Sequence, residues 1–552
     1  MNDIGASGWR SAAMTALRPA DNPWAVRPAL TTAAAALVVV IIGLALGRAE
    51  LVAVTLFGTA CAAVLADRTA TRQRCAWALA LQALGACVGI AVGSLTTDPV
   101  GQVAIAAAVA FVSGPLGRVG RSAAGCGLMA IIGVAFAQFG GTGLPWYQQC
   151  LCYLVGTAAI AVVDLGPWPW QPRGIRRAAV AAVFRASATL VDAAGTDDAP
   201  AARSSLLAAS ERARHVVFGP HLPRPHRRPT PAEVAWQHAA DAALVAAATG
   251  VDCRARGADA AQMRDWADAI EHGLPIDWPA QVVDVVAPAG PRRSEICGRD
   301  AVFDGVRIAW CLALATVATI ALHDPSHSVW IPLTVSVLVR PEYGTVFMRV
   351  TNRLSGTVAG GVLAAILLLV LGSGLPVAVA AAVAIGFSVA AAPKSYGLSV
   401  IGVTCGALMS ASIATADPVV PLIRVGDTLL GAVIALMFGF LLWPGRGVPD
   451  PTSGVRTARR AARRYLRSVV DGAGVAAAGE EAYSRANRAV EQARTALLEP
   501  PPIGAIARTH LADALAVKGI VDEVTALRRV DEAPDRAQLD ALRSRLETPD
   551  RR

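Results

Sequence analysis

The stretch LSGTVAGGVLAAILLLVLGSGLPVAVAAAVAIGFSVAAAP, residues 354–393, contains no Asp, Glu, Lys or Arg. Coiled as one helix it would be about 60 Å long, twice the ~30 Å of hydrocarbon in a bilayer. The cluster Gly372-Ser373-Gly374 breaks it near its middle. It therefore reads as two membrane-crossing helices joined by a tight turn. Residues 122–163 are free of charge in the same way, with Gly140-Gly141-Thr142-Gly143 as the breaker. A soluble core cannot hide runs of this length, but a bilayer can.

Outward from these two runs the same composition continues. Hydrophobic residues make up 54% and charged residues 16% of the chain, against ~25% charged in an ordinary soluble domain. Candidate spans in the first half are 29–47, 50–66, 75–95, 100–115, 122–139 and 146–164. The second half offers 305–322, 328–340, 354–372, 376–392, 397–414 and 426–443. Thr97-Asp98-Pro99 and Asp417-Pro418 separate further pairs. The net charge of +9 is carried almost wholly by Arg, since Lys394 and Lys518 are the only lysines. These arginines fall where cytosolic loops of a membrane protein carry them, so nucleic acid is not an expected partner. The ten cysteines lie mostly inside apolar segments and form no CxxC pair, which is use as small hydrophobes.

Basic residues set the orientation. Arg68, Arg72 and Arg74, then Arg118 and Arg121, then Arg173, Arg176 and Arg177 fall on one side, opposed only by Arg48. In the second half Arg340, Arg349, Arg353 and Lys394 fall on that same side and Arg424 on the other. The positive-inside rule is met by twelve spans with both termini cytosolic. The expected class is an all-α integral membrane protein, a tandem repeat of six transmembrane helices plus a cytosolic helical domain. Its expected parts are a leader at 1–28, membrane halves at 29–171 and 301–444, and cytosolic helical domains at 172–300 and 445–552.

The repeat is read from residues in register. Gly85 and Gly89 match Gly356 and Gly360, each pair a G-x-x-x-G that lets helices approach closely. Glu211, Ala213, Arg214 and Pro220 match Glu491, Ala493, Arg494 and Pro500. His238-x-Ala-Asp241-Ala recurs as His510-x-Ala-Asp513-Ala. With an even number of spans per unit, the two units insert as parallel repeats.

No G-x-x-x-x-G-K-[ST], G-x-S-x-G or H-E-x-x-H is present, so neither catalytic residues nor a metal or cofactor site is expected. The segment 328–361 is the informative one. It runs from Trp330, Leu333 and Thr334 through the elbow Arg340-Pro341-Glu342, then Gly344 and Thr345, to Arg349 and Arg353, and on to Gly356, Thr357 and Gly360. This resembles the signature of the fusaric-acid-resistance-like family of aromatic acid exporters: a W-x-x-L-T run, a P-x-x-G-T elbow and an R-x-x-G-T-x-x-G helix start. The first half departs from it, with Gln82 at the position of Arg353 and Asp67-Arg68 in place of the Pro-Glu elbow. The resemblance implies a bacterial inner-membrane exporter of aromatic or other weak organic acids, driven by the proton gradient. The plant malate channels, similar in their six-helix half, supply the alternative of a passive anion channel. A membrane scaffold recruiting partners through its cytosolic domains is a third reading, and a homo-oligomer or a periplasmic adaptor is compatible with all three.

The residues fit an anionic substrate. The eighth span has too few uncharged residues before Arg340 to cross alone, and short spans at matching places in two repeats point to a substrate site. A guanidinium presents a planar fork to a carboxylate. Arg353, Arg349, Arg340, Glu342, Trp330 and Thr334 are the expected substrate-binding set. The competing reading makes the arginines loop anchors facing lipid phosphates. Asp427 and Asp67 are the candidate coupling residues, with Asp427 and Arg424 read alternatively as an ion pair at the outer interface. Trp330, Trp146 and Trp443 fit an interfacial aromatic belt.

Overall fold

A computed structural model describes residues 17–19, 24–66, 72–141, 143–166, 175–194, 196–218, 234–236, 238–240, 242–243, 259–276, 298–322, 329–339, 346–413, 420–442, 451–497, 503–530 and 536–547. Its contacts divide the chain into two compact units. The first holds residues 1–68, 72–169 and 291–447; the second holds 69–71, 170–290 and 448–552.

In the first unit the helices are α1 Val26–Ala45, α2 Ala49–Leu65, α3 Arg72–Gly93, α4 Pro99–Val119, α5 Arg121–Phe139 and α6 Trp146–Leu165. After the intervening α7 Ile175–Asp192, α8 Ala199–Phe218 and α9 Ala260–His272 of the second unit come α10 Arg299–Leu322, α11 Trp330–Leu338, α12 Val346–Leu371, α13 Leu375–Ala391, α14 Tyr396–Ala411 and α15 Val420–Leu436. A single π turn, Met437–Leu441, ends α15. Two of the breakers read from the sequence act as expected, while Thr142 and Asp417-Pro418 lie outside the described residues. Gly372 and Gly374 take φ of 71° and 81° between α12 and α13, a region that side chains with a Cβ rarely enter. Asp98 caps α4 by accepting from the Gly101 N–H at 2.9 Å, with Pro99 in the first turn.

Eight helices among the described residues are long and apolar enough to cross a membrane. This differs from the twelve spans expected. Leu51–Leu65, Leu375–Ala391 and Tyr396–Ala411 are shorter apolar helices, and α11 has only 9 residues, about 14 Å of helix. The shortness of α11 follows from the charged elbow after it. The outward faces carry Ile41, Leu84, Trp77, Leu369 and Leu441, each more than half exposed. In water such a surface would be costly, but against lipid tails it is at equilibrium.

Close approach at glycine sets the helix pairing. A Cβ on Gly85 or Gly89 of α3 would run into the carbonyls of Cys126 and Ala130 on α5. A Cβ on Gly356 or Gly360 of α12 would lie 2.7 Å from the carbonyls of Gly397 and Ile401 on α14. One offset, 271, relates all four second-half positions to their first-half counterparts. A second correspondence is crosswise. Gly114 of α4 lies against Gly305 of α10, and Gly386 of α13 lies against Ala33 of α1. The first helix of each half thus packs on the fourth helix of the other.

The second unit contains α7, α8 and α9 together with α16 Pro451–Asp471, α17 Val475–Ala496, α18 Ile503–Val530 and α19 Arg536–Glu547. Val180, Phe184, Leu190, Leu206, Met263 and Ile270 form one apolar core. Tyr465, Leu466, Val490, Val521, Val524 and Leu542 form another. His510 lies 3.3 Å from Asp513; the counterpart Asp241 lies outside the described residues, as do Pro220 and Pro500.

Candidate functional site

The chemistry of the first unit is concentrated where α11, α12 and α15 meet. Helix α11, at 9 residues too short to fill a membrane's depth, packs against both α12 and α15. Gly431 of α15 lets that helix close on α11, since a Cβ there would sit 2.9 Å from Thr334. Three to seven residues before Gly431 α15 is still polar: Arg424, Asp427 and Thr428 follow each other at i, i+3 and i+4, so they share one face. All three are buried, Arg424 at 1% exposure and Asp427 at 4%. The Arg424 guanidinium lies over the Trp330 ring, 3.6 Å from its centroid. Desolvated contacts of this kind are worth about 2 kcal/mol and hold the guanidinium plane in place.

Arg353 faces Arg424 from α12 at 4% exposure, near enough for the two positive charges to repel, while Asp427 attracts Arg424. Nε and Nη2 of Arg353, and Nε and Nη1 of Arg424, donate to no described residue. Thr334 on α11 and Thr357 on α12, both fully buried, have hydroxyls without a hydrogen bond among the described residues. Among the described residues, two buried guanidiniums beside one carboxylate leave the cluster positive in a place where uncompensated charge costs several kcal/mol. The complementary ligand is an anion with two acceptor oxygens, for which the two forks and the two hydroxyls are suitable donors.

Several sequence expectations are relocated. Trp330 stacks on Arg424, so a role as lipid-interface anchor does not describe its contact. Arg424 and Asp427 are interior groups, contrary to an exposed pair at the outer interface. Sequence reading left Arg424 out of the site because a charge at a helix start resembles a loop charge. Its signal was the spacing Arg424, Asp427, Thr428 inside an otherwise apolar span. Arg349 and Arg353 are buried as well. Arg340 and Glu342, and Asp67 in the first half, lie outside the described residues.

A second buried arginine escaped the sequence reading. Arg307 of α10, at 2% exposure, donates from Nη2 to the Val339 carbonyl at 3.3 Å and so caps the end of α11. Asp304 lies 3.6 Å from Arg307 and accepts from Arg118 of α4 at 2.6 Å. These contacts hold α11 at the level where Trp330 meets Arg424.

The first half has the same framework with different chemistry. Gly156 closes on Thr59 as Gly431 closes on Thr334, an offset of 275 for both residues. By that register Gln149 stands where Arg424 stands, and by the offset of 271 that relates the α3 and α12 glycines Gln82 stands where Arg353 does. Both are buried, at 7% and 4%. Gln149 donates to the Leu144 carbonyl at 2.9 Å and Gln82 to the Leu65 carbonyl at 3.2 Å. Neutral amides stand at both positions, and each donates an N–H to the backbone.

No curated protein and no solved structure matches the chain. The segment that holds Arg307, Trp330, Thr334, Arg353 and Arg424 extends between the ends of α10 and α15. Over residues 308–438, which include Trp330, Thr334, Arg353 and Arg424, the chain matches the family model described as fusaric acid resistance protein-like.

Proposed function

We propose that this protein is a secondary transporter that exports small aromatic carboxylates across a bacterial inner membrane, with the substrate carboxylate held between Arg353 and Arg424. The family match supports a membrane transport or efflux role. The single observation behind the finer reading is the pair of buried guanidiniums whose N–H groups no described residue accepts. A carboxylate bridging them supplies the missing charge and the missing acceptors. The Trp330 ring beside Arg424 offers an aromatic neighbour for a ring carried by the substrate.

In this reading the chain is a duplicated six-helix unit with twelve crossings and cytosolic termini. The equal offsets of the glycine contacts and the crosswise packing of α1 on α13 and α10 on α4 support it. The shorter helices α2, α13 and α14 complete crossings together with their flanking loops. Only the second half keeps a charged site, so one anion is carried per chain. Asp427 is the coupling residue: it shares Arg424 with the substrate, so its protonation changes the charge that the substrate meets. The proton gradient is the driving force, with no bound cofactor.

The test is uptake into inverted membrane vesicles against a panel of aromatic acids, with and without an imposed proton gradient. Accumulation above the anion's own electrochemical equilibrium supports an exporter. Flux that merely follows that equilibrium makes the protein a channel, and absence of flux for every acid removes the proposal.

A further inference from the structure

Helix α16 begins shortly after the last membrane helix and carries Arg456, Arg459, Arg460, Arg463, Arg464 and Arg467. At 100° per residue these six side chains fall within about 140° of the helix circumference. The opposite face, Val455, Ala458, Ala461, Ala462, Tyr465 and Leu466, is buried in the second unit's apolar core. The arginine face is outward: Arg456, Arg460, Arg463, Arg464 and Arg467 are all exposed.

Among the described residues little neutralises this stripe. Arg464 pairs with Glu481 at 3.0 Å, and Glu481 is shared with Arg485 at 3.9 Å. Arg456 and Arg460 reach only carbonyls of their own helix, Thr452 and Arg456, and Arg463 donates to the Leu546 carbonyl at 3.2 Å. The earlier helix α7 differs. Its Arg185 is bound by Asp268 at 2.9 Å and by Glu271, which hold its guanidinium above its ordinary pKa range. The stripe on α16 is therefore built to face an external polyanion.

We infer that the arginine face of α16 binds the phosphate headgroups of anionic phospholipids. The covalent chain favours that partner. Residues 443–450 join the end of the last membrane helix to Pro451, and a tether of that length reaches at most about 30 Å when fully extended. The stripe can never leave the vicinity of the headgroup layer, whose local phosphate concentration far exceeds that of soluble anions. A row of arginines at i, i+4, i+7 and i+11 (Arg456, Arg460, Arg463, Arg467) presents a line of planar donors, matching phosphates spread over a surface.

The experiment uses the intact protein in neutral detergent containing equal amounts of phosphatidylglycerol and phosphatidylcholine, with bound lipid counted by native mass spectrometry. The wild type should retain phosphatidylglycerol preferentially. The quadruple variant R456Q/R460Q/R463Q/R467Q should lose at least tenfold of that preference, since each arginine at a charged surface contributes roughly fivefold. The matching R456K/R460K/R463K/R467K variant keeps the charge and should keep most of the preference, which separates lost binding from lost folding. Inorganic phosphate at the same phosphate concentration should not displace the lipid. Unchanged preference in the glutamine variant overturns the inference. Equal competition by inorganic phosphate would make this a soluble-anion site. Tighter, stripe-dependent binding of a single-stranded oligonucleotide in pure phosphatidylcholine detergent would make it a nucleic-acid face, and either result contradicts the proposal.

Discussion

Arg424 on α15 lies over the indole of Trp330 on α11, 3.6 Å from the ring centroid. That contact ties the shortest α-helix described in the first unit to a buried charge on another helix, near enough to Arg353 on α12 for the two charges to repel. It also makes the indole part of the site and not only part of its wall. Trp330→Ala should raise the half-saturating substrate concentration roughly tenfold, and Trp330→Phe by much less, because a phenyl ring keeps part of the cation–π attraction. Concentration-dependent flux at equal membrane abundance measures both.

The two halves should respond unequally. Gln82→Ala and Gln149→Ala remove amides that donate to the backbone carbonyls of Leu65 and Leu144. Each should change transport less than twofold while costing about 1 kcal/mol of stability, the net value of a hydrogen bond. Flux and thermal unfolding of the same preparations test this. A transport loss in either variant as large as that of an arginine variant would return the first half to the substrate path.

Glycine substitutions test the packing. Gly360→Val places a Cβ 2.7 Å from the Ile401 carbonyl, and overpacking of that kind costs about 1–3 kcal/mol as α12 and α14 separate. Gly426→Ala meets nothing within 4 Å and should leave stability unchanged or slightly raised by helix propensity. Thermal unfolding in detergent should rank Gly360→Val well below Gly426→Ala. Equal melting temperatures would contradict the glycine-contact account.

Within the second unit Lys518 pairs with Asp522 and stands 4.4 Å from the Tyr483 ring centre. Burial holds the Asp522 carboxyl above its usual range, with Lys518 and Arg203 pulling it back. Lys518→Met leaves that carboxylate unpaired, a loss of about 3–5 kcal/mol. The sign with pH follows from the raised value. A carboxyl whose folded pKa exceeds its unfolded one adds stability below the unfolded value and loses it as pH rises through the folded value. Without Lys518 the carboxyl moves higher still, so the deficit should shrink as pH falls, and Lys518→Met/Asp522→Leu should recover most of it. Hydrogen exchange of α18 amides between pH 4 and 8 reads both effects.

Asp427→Asn separates coupling from binding. The variant should still transport under a membrane potential but lose its response to an imposed pH gradient, because the site no longer exchanges a proton. Paired flux assays with each gradient alone give the answer; a retained pH response moves coupling away from Asp427.

Much of this was legible in the sequence, for physical reasons. Charge-free runs and Gly-Ser-Gly breakers report on local helix and turn, and Gly372 and Gly374 fall where the chain needs positive φ. Trp330, Thr334, Arg353 and Thr357 were marked because the family pattern places them at fixed spacing within one segment. Arg424 was not, since its partners lie on α11 and α12 and only packing brings them together. The exposure of a charge near a helix start cannot be read from that helix alone: Arg424 looked like an interfacial residue, and its 1% exposure comes from Trp330 and neighbouring helices closing over it. Arg307 escaped for the same reason, because its role depends on where α11 ends. The π turn at Met437–Leu441 has no Pro or charge to announce it.

The most direct test of the central claim is substrate-dependent flux in inverted vesicles for Arg353→Ala and Arg424→Ala, normalised to membrane abundance, beside Arg353→Lys and Arg424→Lys. Removing one charge-assisted partner of a bound carboxylate should cost about 1.5–3 kcal/mol, a tenfold to hundredfold rise in half-saturating concentration. Each lysine variant should fall between wild type and alanine, because it keeps the charge and loses the fork. Wild-type flux in both alanine variants, with the protein folded and inserted, would contradict an anion site between Arg353 and Arg424.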